Sequence, residues 1–145
     1  MTDTIVTDPE VLRTKSRPTT IEEVEELKLI DRMRSANLTA WVLGCGVTAI
    51  QIGVPVRFSW IFHKNKEVML LNPEIVYGIG ITASEESCLS IPNKKFIVER
   101  YLEIEYMNNG KRRYAKGMLA KIIQHEIDHM NGILVSDKAV AEMYA

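Results

Sequence analysis

Residues 124–129 read Gln-His-Glu-Ile-Asp-His, which sets His125 and His129 four apart with Glu126 between them. On a helix, side chains at i and i+4 leave the same face about one turn apart. Two imidazoles so placed can each reach a single metal ion at about 2.0–2.1 Å. Glu126 then falls where a carboxylate serves as a base toward water activated by that ion. The same pattern suits a peptidase, another metal hydrolase, or an exposed helix with charged residues at chance positions. A third ligand decides among them.

Sixteen residues follow His129; they contain no histidine or cysteine, and Glu142 is their only glutamate. A small zinc peptidase built on His125, His129 and Glu142 needs the C-terminal tail to fold back onto the helix. Upstream, the candidates are His63, Cys45 and Cys88. His63 ends an expected strand beside a lysine-containing turn and reads as a surface histidine. Cys45, flanked by Gly44 and Gly46, is by default a small buried hydrophobe. Cys88 lies in a polar segment, Glu85-Glu86-Ser87-Cys88-Leu89-Ser90, ahead of Pro92, an unusual place for a cysteine that only packs. As a thiolate it completes a Cys-His-His set and leaves a fourth position open for water, the mark of a catalytic rather than a structural site. From these ligand types alone zinc is the expected metal.

The elements that must position these residues follow from patterning. Residues 1–19, with Pro9 and Pro18, read as an irregular arm. Thr20 with Glu23 forms a capping-box pattern, and Ile21, Val24, Leu27, Ile30 and Met33 predict one helix ending between Ala36 and Leu43. Residues 56–63 and 67–76 predict two strands joined across Lys64-Asn65-Lys66, and 95–107 predicts a long strand. Asn108-Asn109-Gly110 is a hairpin signal. From about Lys116, Met118, Leu119, Ile122, Ile123, Ile127 and Met130 recur at helical spacing up to a stop at Gly132. The expected fold is α+β: antiparallel strands packed around a central metal-binding helix, with an N-terminal helix, in one catalytic domain over 1–145. The 145 residues carry a net charge of −1 and are 46% hydrophobic. That balance disfavours a protein that coats nucleic acid or anionic membrane. Neither a signal peptide nor a membrane-length apolar run is present, and two cysteines are too few for a disulfide scaffold, so a cytoplasmic setting is expected.

Three ordered motifs then carry a resemblance. Residues 44–51 (GCGVTAIQ), 86–90 (ESCLS) and 124–129 (QHEIDH) are similar to the G-x-G-L-A-A-x-Q, E-G-C-L-S and Q-H-E-x-D-H motifs of peptide deformylases. That family removes the formyl group from the N-terminal formyl-methionine of new proteins. The resemblance implies that Cys88, His125 and His129 hold the metal and that Glu126 shuttles the proton. It further implies that Gln51 and the backbone N–H of Leu89 donate to the formyl oxygen. A pocket for the methionine side chain is implied near Cys45, Met118 and Ile122, with Gly46 and Glu86 lining the channel through their backbone. An ion pair between Glu86 and Arg100 is implied beside the metal loop. The working metal implied is Fe2+, with Zn2+ or Ni2+ as replacements. The implied substrates are N-formyl-methionyl peptides, met near the exit tunnel of the ribosome. Val47 and Thr48 depart from the first motif, Ser87 from the second, and Lys95 stands where many members have arginine; their expected effects are on packing, pocket shape and rate. The chain stops soon after the metal helix, which resembles the compact members, phage-encoded ones included. A relic that binds metal or formylated peptides without turnover is the non-enzymatic alternative, and the presence of Glu126 and Gln51 speaks against it.

Overall fold

The structure, a computed structural model, describes residues 3–40 and 46–144. The N-terminal arm is not wholly irregular, because Pro9–Leu12 forms a one-turn helix, α1, capped by the Asp8 carboxylate on the Glu10 N–H. Thr20 caps α2 (Ile21–Glu26) through the Glu23 N–H at 3.1 Å. The Glu23 carboxylate goes instead to Arg17, so only half of the expected box forms. The single helix expected here is two. It breaks at Lys28, whose φ is +52°, and resumes as α3 (Leu29–Ala40). The reason lies in the spacing: apolar residues every third position lag a straight helix by about 60° per step. One rod would carry that stripe most of the way around itself, whereas two short helices bury Val24 on one and Leu29, Met33 and Ala36 on the other.

Two antiparallel sheets follow. The first has the order β1-β2-β3, with β1 (Gly46–Thr48), β2 (Phe58–His63) and β3 (Lys66–Leu71). Lys64 and Asn65 both have positive φ, +50° and +62°, which suits a tight hairpin between β2 and β3. The strand expected over 67–76 is broken at Asn72 (φ +49°) and Pro73, where the chain leaves the first sheet for the second. The Asn72 side chain clasps both backbone groups of Thr19 at this crossing, at 2.9 and 2.8 Å. The second sheet pairs β4 (Glu74–Cys88), β5 (Ile91–Asn108) and β6 (Lys111–Lys116) in order, with β7 (Ala141–Tyr144) on β5. The expected turn at Asn109 and Gly110 forms with both φ positive. Most of β4 was not legible, because Gly78 and Gly80 dilute its strand signal.

Between the sheets runs α4 (Gly117–Met130). Its Ile122, Ile123, Ile127 and Met130 pack with Ile61 and Leu70 of the first sheet and Ile104 and Tyr106 of the second. The helix ends in a Schellman motif: Ile133 N–H bonds to Asp128 C=O and Gly132 N–H to His129 C=O. Gly132 sits at φ +74°, and a Cβ there would come within 2.4 Å of the Arg13 carbonyl oxygen, so glycine is required twice over. A short helix, α5 (Val135–Lys138), then leads into β7. The architecture is α+β, with antiparallel strands around a central helix. No helix among the described residues is long and apolar enough to cross a membrane.

Candidate metal centre

On α4, His125 and His129 face the same way, with ring centroids 5.1 Å apart. Cys88 ends β4, where pairing with β5 is irregular between Glu86 and Cys88. Irregularities of this kind re-aim a side chain at a sheet margin, and here Cys88 Sγ lies 3.4 Å from His129 Nε2. The ligand atoms of Cys88, His125 and His129 all lie within 4.8 Å of one another, the one such group among the described residues. A thiolate and two imidazoles form a donor set suited to a first-row divalent ion. Glu142 does not join them: it pairs opposite Phe96 on the sheet and contacts Lys94 at 2.7 Å. His63 sits at the end of β2 opposite Lys66.

Charge around these three residues is organised by Glu86. Its Oε1 accepts from His125 Nδ1 at 2.8 Å, which leaves Nε2 of that ring for a metal. Arg100, 2% exposed, grips both oxygens of Glu86 at 2.9 and 2.8 Å and reaches Asp128 at 2.6 Å. Lys138 meets the other oxygen of Asp128 at 3.0 Å. The implied Glu86–Arg100 pair is therefore present, within a larger network. Burial pushes the Glu86 carboxyl up, but hydrogen bonds and charge from His125 and Arg100 outweigh it and bring it down to about 2. Burial likewise pushes the Cys88 thiol up, and the neighbouring His129 and His125 bring it down to about 6. For His125, burial is outweighed by Cys88 and Glu86, and its pKa is raised well above the ordinary histidine value.

Gln51 belongs to a 3-10 turn at Ala49–Ile52, directly after β1. Its Oε1 accepts the Thr48 N–H at 3.0 Å, which sends Nε2 toward Ser90 Oγ at 3.1 Å and Cys88 Sγ at 3.9 Å. The amide's donor end therefore faces Cys88 and Ser90. Glu126, 3% exposed, has its Oε2 held by the hydroxyls of Thr48 and Ser59 at 2.6 and 3.1 Å. Gly46 allows this approach, since a Cβ there would stand 3.3 Å from the Glu126 carboxyl carbon and 3.1 Å from Ile61.

A cavity of about 230 Å³ opens over the site, and its lining includes Gly46, Gln51, Glu86, Leu89, Met118, Ile122 and Glu126. Met118 is 55% exposed, so it stands at the helix start beside the cavity rather than in the core. Cys45, also assigned to this pocket, lies outside the described residues. Ser87 lines the cavity and Val47 is buried in the core. Four features went unread in the sequence: the Glu86 contact to His125, Asp128 as the second partner of Arg100, Ser90 beside Gln51, and the hydroxyls on Glu126. Two left faint signals: Asp128 stands three residues after His125, and Ser59 interrupts the apolar run of β2. Thr48 therefore does more than affect packing, because its hydroxyl bonds the Glu126 carboxylate directly.

Comparison with known proteins identifies the family. The polypeptide deformylase family profile matches residues 2–143. A peptide deformylase of Dictyoglomus thermophilum is 34% identical over 146 residues, covering 94% of this chain and 91% of that protein. The structure of a Synechococcus elongatus peptide deformylase in complex with actinonin superposes with a TM-score of 0.85 at 31% identity, over 97% of this chain and 79% of that one. A Thermotoga maritima peptide deformylase gives 0.84 at 32% identity, over 97% and 99%. The chain belongs to the peptide deformylase family, the metal-dependent hydrolases that remove the N-terminal formyl group from newly made polypeptides.

Proposed function

We propose that Cys88, His125 and His129 hold the metal of this deformylase, that Glu126 is its general acid/base, and that Gln51 and the Leu89 N–H receive the formyl oxygen. The observation that carries this assignment is convergence: three ligand atoms within 4.8 Å of one another beside a cavity that Gln51, Leu89 and Glu126 also line. Fe2+ is proposed as the working ion, with Zn2+ or Ni2+ as replacements, since thiolate and imidazole accept all three. When bound, such an ion supplies Lewis acidity to the attacking water and the formyl carbonyl.

The chain's own residues account for the rest. Hydrolysis of a formamide builds negative charge on the formyl oxygen. Gln51 Nε2 and the Leu89 N–H act as preplaced donors to that oxygen, each worth about 3 kcal/mol. Gln51 is held in this sense because a flip would set its NH2 against the Thr48 N–H. Glu126 takes a proton from the attacking water and delivers it to the leaving nitrogen. Glu86 and Arg100 hold the ring of His125, keeping its Nδ1 protonated and its Nε2 free. Gly46, Glu86, Met118 and Ile122, with Cys45, are proposed to receive the methionyl residue. The chain is further proposed to act as one catalytic domain over 1–145, in the cytoplasm, on N-formyl-methionyl peptides emerging from the ribosome.

The ligand assignment is tested by metal content. Cys88→Ala and His129→Ala are each expected to lose the bound ion and all formate release, while Glu142→Ala keeps both. Full metal occupancy in folded Cys88→Ala protein would overturn the third ligand.

A further inference from the structure

The family motif has alanine where this chain has Thr48, and the added hydroxyl reaches the most consequential carboxylate of the site. Thr48 and Ser59 are each fully buried, and they come from adjacent strands, paired Thr48 to Ser59 across β1 and β2. Thr48 Oγ1 is 2.6 Å from Glu126 Oε2, far nearer than to its other acceptors, Ser59 Oγ at 3.3 Å and the Glu126 carbonyl at 3.5 Å, so its single proton goes to Oε2. Ser59 Oγ stands 3.1 Å from the same oxygen and 2.9 Å from the Val47 carbonyl. Its one proton therefore has two acceptors to choose from. Among the described residues only Oε2 of Glu126 has side-chain partners, and the residue lines the cavity.

We propose that Thr48, backed by Ser59, is a positioning residue that ties down Oε2 and thereby makes Oε1 of Glu126 the oxygen that carries the proton. During deformylation the water oxygen bonds to the formyl carbon while a water proton passes to Oε1. The C–N bond then breaks, the proton on Oε1 goes to the leaving nitrogen, and the remaining water proton leaves the new carboxyl for the amine, so the products are formate and an ammonium N-terminus. While Oε1 carries that proton, the demand on Oε2 weakens, and the Ser59 hydroxyl can turn to the Val47 carbonyl. Both protonation states of Glu126 thus leave the Thr48 and Ser59 hydroxyls with an acceptor. A carboxylate anchored at one oxygen keeps the other aimed through the reaction, the kind of positioning that acts on turnover rather than on binding.

This inference rests on the deformylase reading, and the experiment separates the two. Thr48→Val removes the hydroxyl and keeps the shape; Thr48→Ser keeps the hydroxyl; both are made in the natural chain and in Glu126→Gln. Formate release from a formyl-Met peptide gives kcat and KM, and metal content and peptide affinity are measured on the same preparations. Thr48→Val should lower kcat roughly 10- to 100-fold with KM, affinity and metal content unchanged, and Thr48→Ser should restore most of the loss. In the Glu126→Gln background, Thr48→Val should cost nothing further, because the group it acts through is gone. Unchanged kcat in Thr48→Val, or an equal loss in both backgrounds, would overturn the inference. So would loss of metal or of peptide affinity in Thr48→Val, which would place Thr48 in support of the fold. If Thr48→Val does not fold, the comparison passes to Thr48→Ala, with the same expectations. A natural chain that releases no formate would instead remove the deformylase reading itself.

Discussion

One carboxylate, Glu86, holds the His125 ring and the Arg100 guanidinium at the same time, and its charge state therefore bears on both the metal site and the fold. In the unfolded chain a glutamate titrates near 4.5, and in the fold Glu86 titrates near 2. A depressed folded value means that the stabilisation is fully present above about 4.5 and is lost as pH falls toward about 2. In metal-free protein at neutral pH, Glu86→Gln should lower the unfolding free energy by about 3 kcal/mol, since it leaves a buried arginine half-paired. That deficit should shrink when urea midpoints are followed from pH 5 downward; a deficit independent of pH would mean that the carboxylate's charge is not what stabilises. Glu126 makes a different prediction. Glu126→Gln preserves shape, so metal content and peptide binding should persist while kcat falls by about 10²–10⁴. Loss of metal in that variant would show Glu126 to be structural. At this scale the legible residues were those set apart by chemical type and fixed spacing, such as His125, His129 and Cys88. Thr48, Ser59, Ser90 and Asp128 were not legible in these roles, because an ordinary hydroxyl or carboxylate gains its meaning only from a partner distant in the chain.

The element that matters most is α4, and both of its ends and, Met118 apart, its buried face were readable from sequence. Its apolar residues recur at helical spacing, and its stop at Gly132 closes a complete Schellman motif. Gly132→Ala should cost about 1–3 kcal/mol, from the positive φ and the 2.4 Å approach to the Arg13 carbonyl. Urea denaturation checks this, and natural stability in the variant would show that the backbone relaxes there at no cost. Elements whose patterning is diluted were harder to read. β4 carries two glycines and an exposed face with Ile79 and Ile81, so neither alternation nor burial marks it. The tail after α4 was given only the alternative of folding back on the helix, but β7 adds to the sheet instead. Pairing between strands far apart in sequence leaves no local mark. The contact between Lys94 and Glu142 on that strand is solvent-exposed, and such pairs are worth about 0–1 kcal/mol, so Glu142→Ala should leave stability and metal nearly unchanged.

Across the whole molecule, two sheets clasp one helix, and each contributes a part that works only in company. The first sheet brings Thr48 and Ser59, the turn after β1 brings Gln51, the second sheet brings Cys88, and α4 brings His125, Glu126 and His129. The three motifs are separated by dozens of residues in sequence, yet their side chains meet around a single cavity. The order of the motifs was legible because each carries a distinctive residue type, whereas the clasp itself depends on the crossover at Asn72 and Pro73, which read as mid-strand. The central claim is that this assembled site is a metal-dependent deformylase. It is tested most directly by measuring formate released from a formyl-methionyl peptide by Fe2+-loaded protein under anaerobic conditions, beside the same preparation stripped by a chelator. One formate per peptide consumed is expected, with loss of release on stripping and its return when Fe2+ is restored. Folded, metal-loaded protein that leaves the formyl peptide intact would contradict the claim.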